Sequence, residues 1–411
     1  MHLALDAHMV GERETGNETY TLNLAAALLR LIERDPKGFS WDALGPANAT
    51  QPLTTRRSQQ RRFGDSPRLS LLTPDPPRLT AALPQLAASP HSEVLPLRPA
   101  QALLRIPLGL PWAAWRYGFD LLHVTYNAPP LNPCPTVVTI HDISFEHYPQ
   151  FFSPRDLLIL KTLVPLSARR AAQVITVSEH ARSEIIERYG LPAHKVSVTY
   201  EAAGEQFQPV HDGTRLHALR SRYDLGTRPY VLALGNLQPR KNMVRLVQAF
   251  ARAAATLPDP PLLVLAGKAL WRESEVYTAV QQAGVEALVR FPGYVADEDL
   301  PALYSAAELF VYPSLYEGFG LPPLEAMACA TPVISSDVAS LPEVVGDAAL
   351  MINPHDTDSL AHALHLVLSQ PTLRAELSRR GPLHAATFSW DRCARQTMAA
   401  YARALGRAEA L

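Results

Sequence analysis

At 411 residues the chain is longer than one ordinary α/β core supports, so two domains of roughly 200 residues each are expected, with the cleft between them as binding site. Hydrophobic residues at 47% and charged residues at 19% exclude a disordered or coiled-coil chain. A formal net charge of -1, from 38 Lys+Arg against 39 Asp+Glu, excludes the broad positive field of a nucleic-acid-binding protein.

The three cysteines, Cys134, Cys329 and Cys393, are scattered without metal-ligand spacing and suit buried thiols in a reducing cytoplasm. Residues 1–6 read as a first strand rather than a basic region followed by an apolar signal segment. The longest apolar runs, 22–32 and 261–267, fall short of the roughly 20 residues of a membrane span. A cytoplasmic protein is expected, with peripheral placement at the inner face of the membrane as a variant of that reading.

The strand His2–Asp6 leads through a loop into a helix carrying Leu22, Ala25, Leu29 and Ile32 on one face. Residues 46–99 are rich in Pro, Arg, Ser and Thr, with an apolar run only at Leu69–Leu72, and read as mobile excursions. Short β-branched segments at 121–125, 136–140, 173–177 and 196–200 read as buried parallel strands, with helices over 153–172 and 179–189 between them. Residues 207–228 contain Pro209, Gly213 and Gly226 and read as the link between domains.

The pattern then restarts. Strands are expected at 230–234, 261–266, 289–291, 309–312 and 332–335, and helices at 242–257, 274–283, 297–306 and 322–328. Two successive doubly wound α/β units follow from this alternation, and ligands in such sheets sit beyond the carboxyl ends of the strands.

The segment Glu317-Gly-Phe-Gly-Leu-Pro-Pro-Leu-Glu325 carries the strongest chemical signal. A glycine-containing loop that opens a helix presents backbone N–H groups and a positive helix end, which stabilise a diphosphate. Gly318 and Gly320 let the backbone approach closely, and the two bracketing carboxylates can accept from sugar and ribose hydroxyls. An isolated acid at a helix start would be only a cap. The pair Arg240-Lys241, taken alone, would be a solvated turn, and a lone His141 would be a packing or surface residue. Asp297-Glu-Asp299 and Asp356-Thr-Asp358 precede helices and read as N-caps rather than as a metal motif.

Taken together, these segments resemble family 4 of the retaining glycosyltransferases, in particular bacterial mannosyltransferase-like members. The resemblance rests on the Glu, seven residues, Glu spacing of 317–325, on Gly235-Asn-Leu-Gln-Pro-Arg-Lys-Asn242, on Phe291-Pro-Gly-Tyr-Val295, on Thr331-Pro-Val-Ile334, on Val138–Ser144 and on Leu341-Pro-Glu-Val344. It spans nearly the whole chain and is weakest over 46–99.

The resemblance implies the GT-B fold: two Rossmann-like domains facing a central cleft. The N-terminal, acceptor-side domain would cover 1–208, a linker 209–226, the nucleotide-sugar domain 227–387, and a final helix at 388–411 would cross back to the first. It implies that Glu317 contacts the transferred sugar, Glu325 holds the ribose, and Arg240 and Lys241 neutralise the pyrophosphate. Gly235, Gly318, Phe319, Gly320 and Leu321 would lie along the donor. Tyr294 and Val295 would meet the base through their backbone, and Glu343 belongs to the same face.

In the first half, Gly16 rather than Gly11 matches the glycine that approaches the β-phosphate, and His141 matches a histidine near the donor sugar. Asn236 stands where many members carry Arg, so whether Arg240 alone supplies the second cation is left to the structure.

The implied activity is transfer of a mannose- or glucose-type hexose from a GDP- or UDP-sugar to a carbohydrate or lipid-linked hydroxyl, with retention and with no metal or other cofactor. The rival readings are a sugar-nucleotide epimerase of similar fold and an inactive glycosyltransferase-like partner subunit. Peripheral membrane contact through Arg56, Arg57, Arg61 and Arg62, or through Leu103–Trp115, stands against a plain solvated loop. The sequence sets no oligomeric state.

Overall fold

The structure, a computed structural model, describes residues 1–11, 16–34, 67–268 and 274–406. The cluster Arg56, Arg57, Arg61 and Arg62 lies outside them. The chain forms two units, one of 1–143, 154–201 and 390–411, the other of 144–153 and 202–389.

Among the described residues the first unit is built on seven parallel strands: β1 (His2–Asp6), β2 (Arg68–Thr73), β3 (Ser92–Pro96), β4 (Leu121–Thr125), β5 (Thr136–Thr139), β6 (Gln173–Thr176) and β7 (Val196–Val198). Their order is β3-β2-β1-β4-β5-β6-β7. The β-branched runs of β4, β5 and β6 are buried along most of their length because helices cover both faces of a parallel sheet.

Helix starts follow local chemistry: Ser178 Oγ accepts from the Ala181 amide to open Glu179–Tyr189, and left-handed Gly190 closes it. The helix Trp390–Ala404 belongs to this unit, where Asp391 accepts from Arg30 and Arg34 of the first helix, Gly16–Arg34.

His123, in the middle of β4, is fully buried and bridges the Thr139 and Tyr401 hydroxyls at 2.7 Å each. Tyr20 bonds the same Thr139 hydroxyl. Burial forbids the charged imidazole, so the His123 pKa falls to about 3.

The second unit repeats the plan with β8 (Tyr230–Leu234), β9 (Leu262–Ala266), β10 (Val289–Gly293), β11 (Leu309–Tyr312), β12 (Val333–Ser336) and β13 (Leu350–Ile352), ordered β10-β9-β8-β11-β12-β13 and all parallel. Leu246, Val247 and Phe250 of the helix Met243–Ala254 share one core with Val231, Leu263 and Leu309 of the sheet and Leu360 and Leu364 of the helix Thr357–Ser369.

Both sheets are those of a doubly wound Rossmann fold, as the alternation of elements predicts. The region 46–99 needs correction. Its described part carries β2, β3 and the helices Pro76–Ala82 and Pro84–Ala88, and β2 is buried beside β1. Residues 209–226 are also not a bare link, because they hold the helix Gly213–Arg222, opened by Asp212, within the second unit.

The cap readings divide. Asp356 accepts from the amides of Asp358 and Ser359, whereas the Asp299 side chain makes no cap and instead takes Tyr223 and Arg222 as partners. Among the described residues no helix is long and apolar enough to cross a membrane.

Candidate active site

In an open parallel sheet the crevice forms where strand order reverses, and in the second unit that point lies between β8 and β11. The loop leaving β8 carries Arg240 and Lys241, and the loop leaving β11 carries Glu317, so two adjacent strands deliver all three side chains to one place. Asn242 locks the two loops together. It sits in the left-handed conformation at φ 60°, buried, and its amide donates to the carbonyls of Pro313 and Pro354 at 3.0 and 2.8 Å.

Glu317 is buried, and its carboxylate is saturated with donors. Oε1 accepts from Lys241 Nζ at 2.7 Å, Tyr312 OH at 3.0 Å and Ser314 Oγ at 2.5 Å. Oε2 pairs with Arg240 Nη1 at 2.8 Å, and that nitrogen also donates to the Tyr316 carbonyl. Burial alone would raise the Glu317 pKa. The adjacent Arg240 and Lys241 outweigh it, bringing the pKa down to about 2, so the carboxylate is ionised at neutral pH. The Tyr312 phenol moves the other way, held well above its usual range by burial and by the Glu317 charge.

The loop after Glu317 runs into the helix Leu321–Ala328. Gly320, at φ 116°, stands at its N-cap, and a Cβ there would lie 2.7 Å from Leu341. Ser340 fixes the loop by donating toward the carbonyls of Glu317 and Phe319. Phe319 packs edge-on against Phe388, and Leu321 is buried. One turn into the helix, buried Glu325 accepts from Tyr304 OH at 2.9 Å. Burial, and then the Glu325 charge, raise the Tyr304 phenol well above its usual range.

The ends of β8, β9 and β10 are joined through glycines. Gly235, Gly267 and Gly293 all have positive φ, with Gly235 N–H donating to Ala266 and Gly267 N–H to Gly293. Any Cβ on Gly267 would fall 2.1 Å from the Gly235 carbonyl oxygen. Tyr294 follows, half exposed under the Lys268 ammonium, and Val295 is buried.

In the first unit His141 follows β5. Its Nδ1 lies 3.2 Å from Glu201, Tyr20 meets its ring edge-on at 4.6 Å, and its Nε2 is buried with no hydrogen-bond partner among the described residues. Gly16 opens the helix Gly16–Arg34, and a Cβ there would meet nothing within 4 Å among the described residues. Gly11, by contrast, is crowded by Arg78 and donates its amide to Glu18.

Sequence reasoning singled out Arg240, Lys241, Glu317 and Glu325 but passed over Tyr312, Ser314, Tyr304, Asn242, Ser340, Gly267 and Glu201. Only Asn242, beside the Arg-Lys pair, left a readable mark, as a residue tolerant of the left-handed conformation ahead of a helix. Among the described residues no group of three or more His, Cys, Asp or Glu side chains could hold a metal ion.

The Glycosyl transferases group 1 family matches residues 219–384, and Glycosyltransferase Family 4 matches 62–202. O-antigen chain mannosyltransferase B of Escherichia coli is 38% identical over 265 residues, 64% of this chain and 69% of that protein. The serotype-specific mannosyltransferase WbdA of Escherichia coli is 34% identical over 57% of this chain, which spans only 29% of WbdA.

Among solved structures, sucrose-phosphate synthase from Thermosynechococcus elongatus superposes with TM-score 0.71 at 23% identity, covering 98% of both chains. Anabaena HepE, solved in complex with UDP and glucose, gives 0.69 at 20% identity, covering 97% of this chain and 98% of its own. Two Rossmann-like units with these structural neighbours define a protein of the GT-B glycosyltransferase fold. The chain belongs to glycosyltransferase family 4.

Proposed function

We propose that this chain is a retaining, metal-independent hexosyltransferase, moving a mannose- or glucose-type sugar from a GDP- or UDP-sugar to a carbohydrate or lipid-linked acceptor hydroxyl in polysaccharide or other glycoconjugate synthesis. The observation that carries this reading is the ionised Glu317 carboxylate set between Arg240 and Lys241 beside the N-terminus of the helix Leu321–Ala328. The relatives named as mannosyltransferases support the sugar class, and the HepE complex with UDP and glucose supports a nucleotide-linked donor.

In this reading the second unit takes the donor and the first takes the acceptor. The pyrophosphate draws Arg240 and Lys241 from Glu317, and the amides of 318–321 meet the phosphates. Glu317, relieved of its cations, accepts from hydroxyls of the sugar, while Glu325 accepts from the ribose. Gly235 lies against the diphosphate, and the backbone of Tyr294 and Val295 meets the base. His141 orients the sugar, and Gly16 admits the β-phosphate.

As the glycosidic bond breaks, negative charge gathers on the departing diphosphate, where fixed cations and amides lower the barrier. A phosphate oxygen of the leaving group accepts the acceptor proton on the same face, so the anomeric configuration is kept. Electrostatic stabilisation by Arg240, Lys241 and the loop amides takes the part a divalent ion would otherwise play.

A thermal-shift screen of GDP- against UDP-sugars tests the donor, since a ligand of the native state raises the melting temperature by mass action. The matching donor, incubated with acceptor and a chelator, should give a product of retained configuration by NMR. An inverted product sinks retention, and loss of turnover with chelator sinks metal independence. Appearance of an epimer from donor alone would establish the epimerase instead.

A further inference from the structure

Residues 102–117 wind as one helical run, α over Ala102–Leu104, π over Arg105–Gly109 and α over Leu110–Tyr117. Its inner side is packed. Arg105 is buried and donates to the Ala100 carbonyl, Leu110, Ala113 and Ala114 are buried, and a Cβ on Gly109 would lie 2.7 Å from the Arg98 carbonyl.

The outer side reverses the usual rule. Leu104, Leu108, Trp112 and Trp115, spaced by four, four and three, form one stripe on the solvent face, with Trp115 at 72% exposure. Leu103, Leu131 and Leu158, exposed to 76, 81 and 70%, extend the apolar surface. Isolated exposed apolar side chains are ordinary, but an aligned set of this size marks a surface that meets something apolar.

Next to this run lies a cavity of about 360 Å³ between it and the helix Pro154–Arg170, lined by Leu103, Ile106, Ile159, Leu163 and Leu166. Among the described residues the only charged ones that line it are Arg155 and Arg170, both exposed, and no carboxylate does. Ser167, one of its few polar neighbours, already donates to the Leu163 carbonyl and accepts from the Ala128 amide. Beyond Asn127 and the two guanidiniums at its rim a sugar would find few hydrogen-bond partners there, whereas a hydrocarbon chain would need none.

We infer that this face of the first unit rests on an anionic bilayer and that the cavity takes a single hydrocarbon chain from it. The pairing of tryptophans with basic side chains is the chemistry of the membrane–water boundary. The indole sits at headgroup level, and the guanidiniums of Arg116, Arg155 and Arg170 meet lipid phosphates. Both charged residues among the described lining are positive, which complements acidic headgroups.

The test is co-sedimentation of the whole chain with vesicles of phosphatidylcholine alone, or with about a third of the lipid replaced by phosphatidylglycerol. Wild type is expected to pellet with the acidic vesicles, and Trp112→Ser/Trp115→Ser to bind them about tenfold more weakly at unchanged melting temperature. Bromination of the acyl chains should quench wild-type tryptophan fluorescence and not that of the variant.

For the cavity the probe is dansylundecanoic acid. Its fluorescence should rise on binding wild type and stay flat with Ala102→Trp, which blocks the cavity lining from an exposed position while leaving vesicle binding in place. Wild type remaining in the supernatant with acidic vesicles overturns the proposal, as does equal pelleting of the double variant. A wild-type dimer that the double variant dissolves, without vesicle binding, would show that a second copy covers the face. Vesicle binding with no response from the dansyl probe overturns the chain-binding cavity.

Discussion

The Glu317 carboxylate and the Lys241 ammonium lie 2.7 Å apart although 76 residues separate them, and Arg240 closes the other side of the same carboxylate. An anion so held is both a structural pin and a competitor for whatever anion the two cations could otherwise bind.

Replacing Glu317 with Gln should therefore separate two effects. The cations lose their competitor, so a nucleoside diphosphate without sugar should bind more tightly than to wild type, as titration calorimetry would show. Sugar transfer should fall by about 100-fold or more, because the donor sugar is no longer oriented. Equal turnover, or weaker diphosphate binding at full fold, would remove Glu317 from its assigned role.

Lys241→Met should act on the opposite partner. Diphosphate affinity should drop by about tenfold or more, since a charge-assisted bond is lost. An unchanged dissociation constant would show that Lys241 serves Glu317 and not the ligand.

Acid stability should fall in two steps. The His123 imidazole is neutral in the fold, with a pKa of about 3 against 6.5 when free. The unfolded chain thus takes up a proton first, and stability is lost as pH falls from about 6.5 toward 3, by a few kcal/mol in order of magnitude. Glu317, at about 2 against 4.5, adds its loss below pH 4.5. Denaturant midpoints of His123→Asn measured between pH 7 and 4.5 should be flatter than those of wild type. Parallel curves would mean that another group titrates there.

Two glycines should behave oppositely. Gly267→Ala places a methyl 2.1 Å from the Gly235 carbonyl at φ 141°, so the loops beyond β8 and β9 must part, costing about 3 kcal/mol or more. Gly16→Ala meets nothing within 4 Å among the described residues and should leave the melting temperature within about a degree or raise it, alanine being the better helix former. A loss of donor affinity in Gly16→Ala would then report ligand approach alone, and normal donor use would remove Gly16 from the site.

Strand and helix periodicity was readable where burial was complete. The strands at 121–125, 230–234 and 309–312 fall where near-continuous apolar runs place them, since a strand covered on both faces is mostly apolar, His123 apart. Of the four edge strands, β7 and β10 were read, and β3 and β13 escaped notice for the converse reason. β3 is half-exposed and ends in Pro96, and β13 is short with Met351 exposed, so neither needs an apolar run. The helix Gly213–Arg222 buries only Leu219 and shows no stripe to read.

The sequence by itself determined the alternation of two doubly wound units and the local chemistry of 240–241 and 317–325, because backbone periodicity and loop composition are properties of neighbouring residues. Only the tertiary structure decided which groups meet. Strand order sets β8 beside β11, and this adjacency carries Arg240 and Lys241 to Glu317, recruits Tyr312 and Ser314 as donors, and pairs Tyr304 with Glu325. Electrostatics act over a few ångströms of space rather than along the chain, and sheet topology alone converts one into the other.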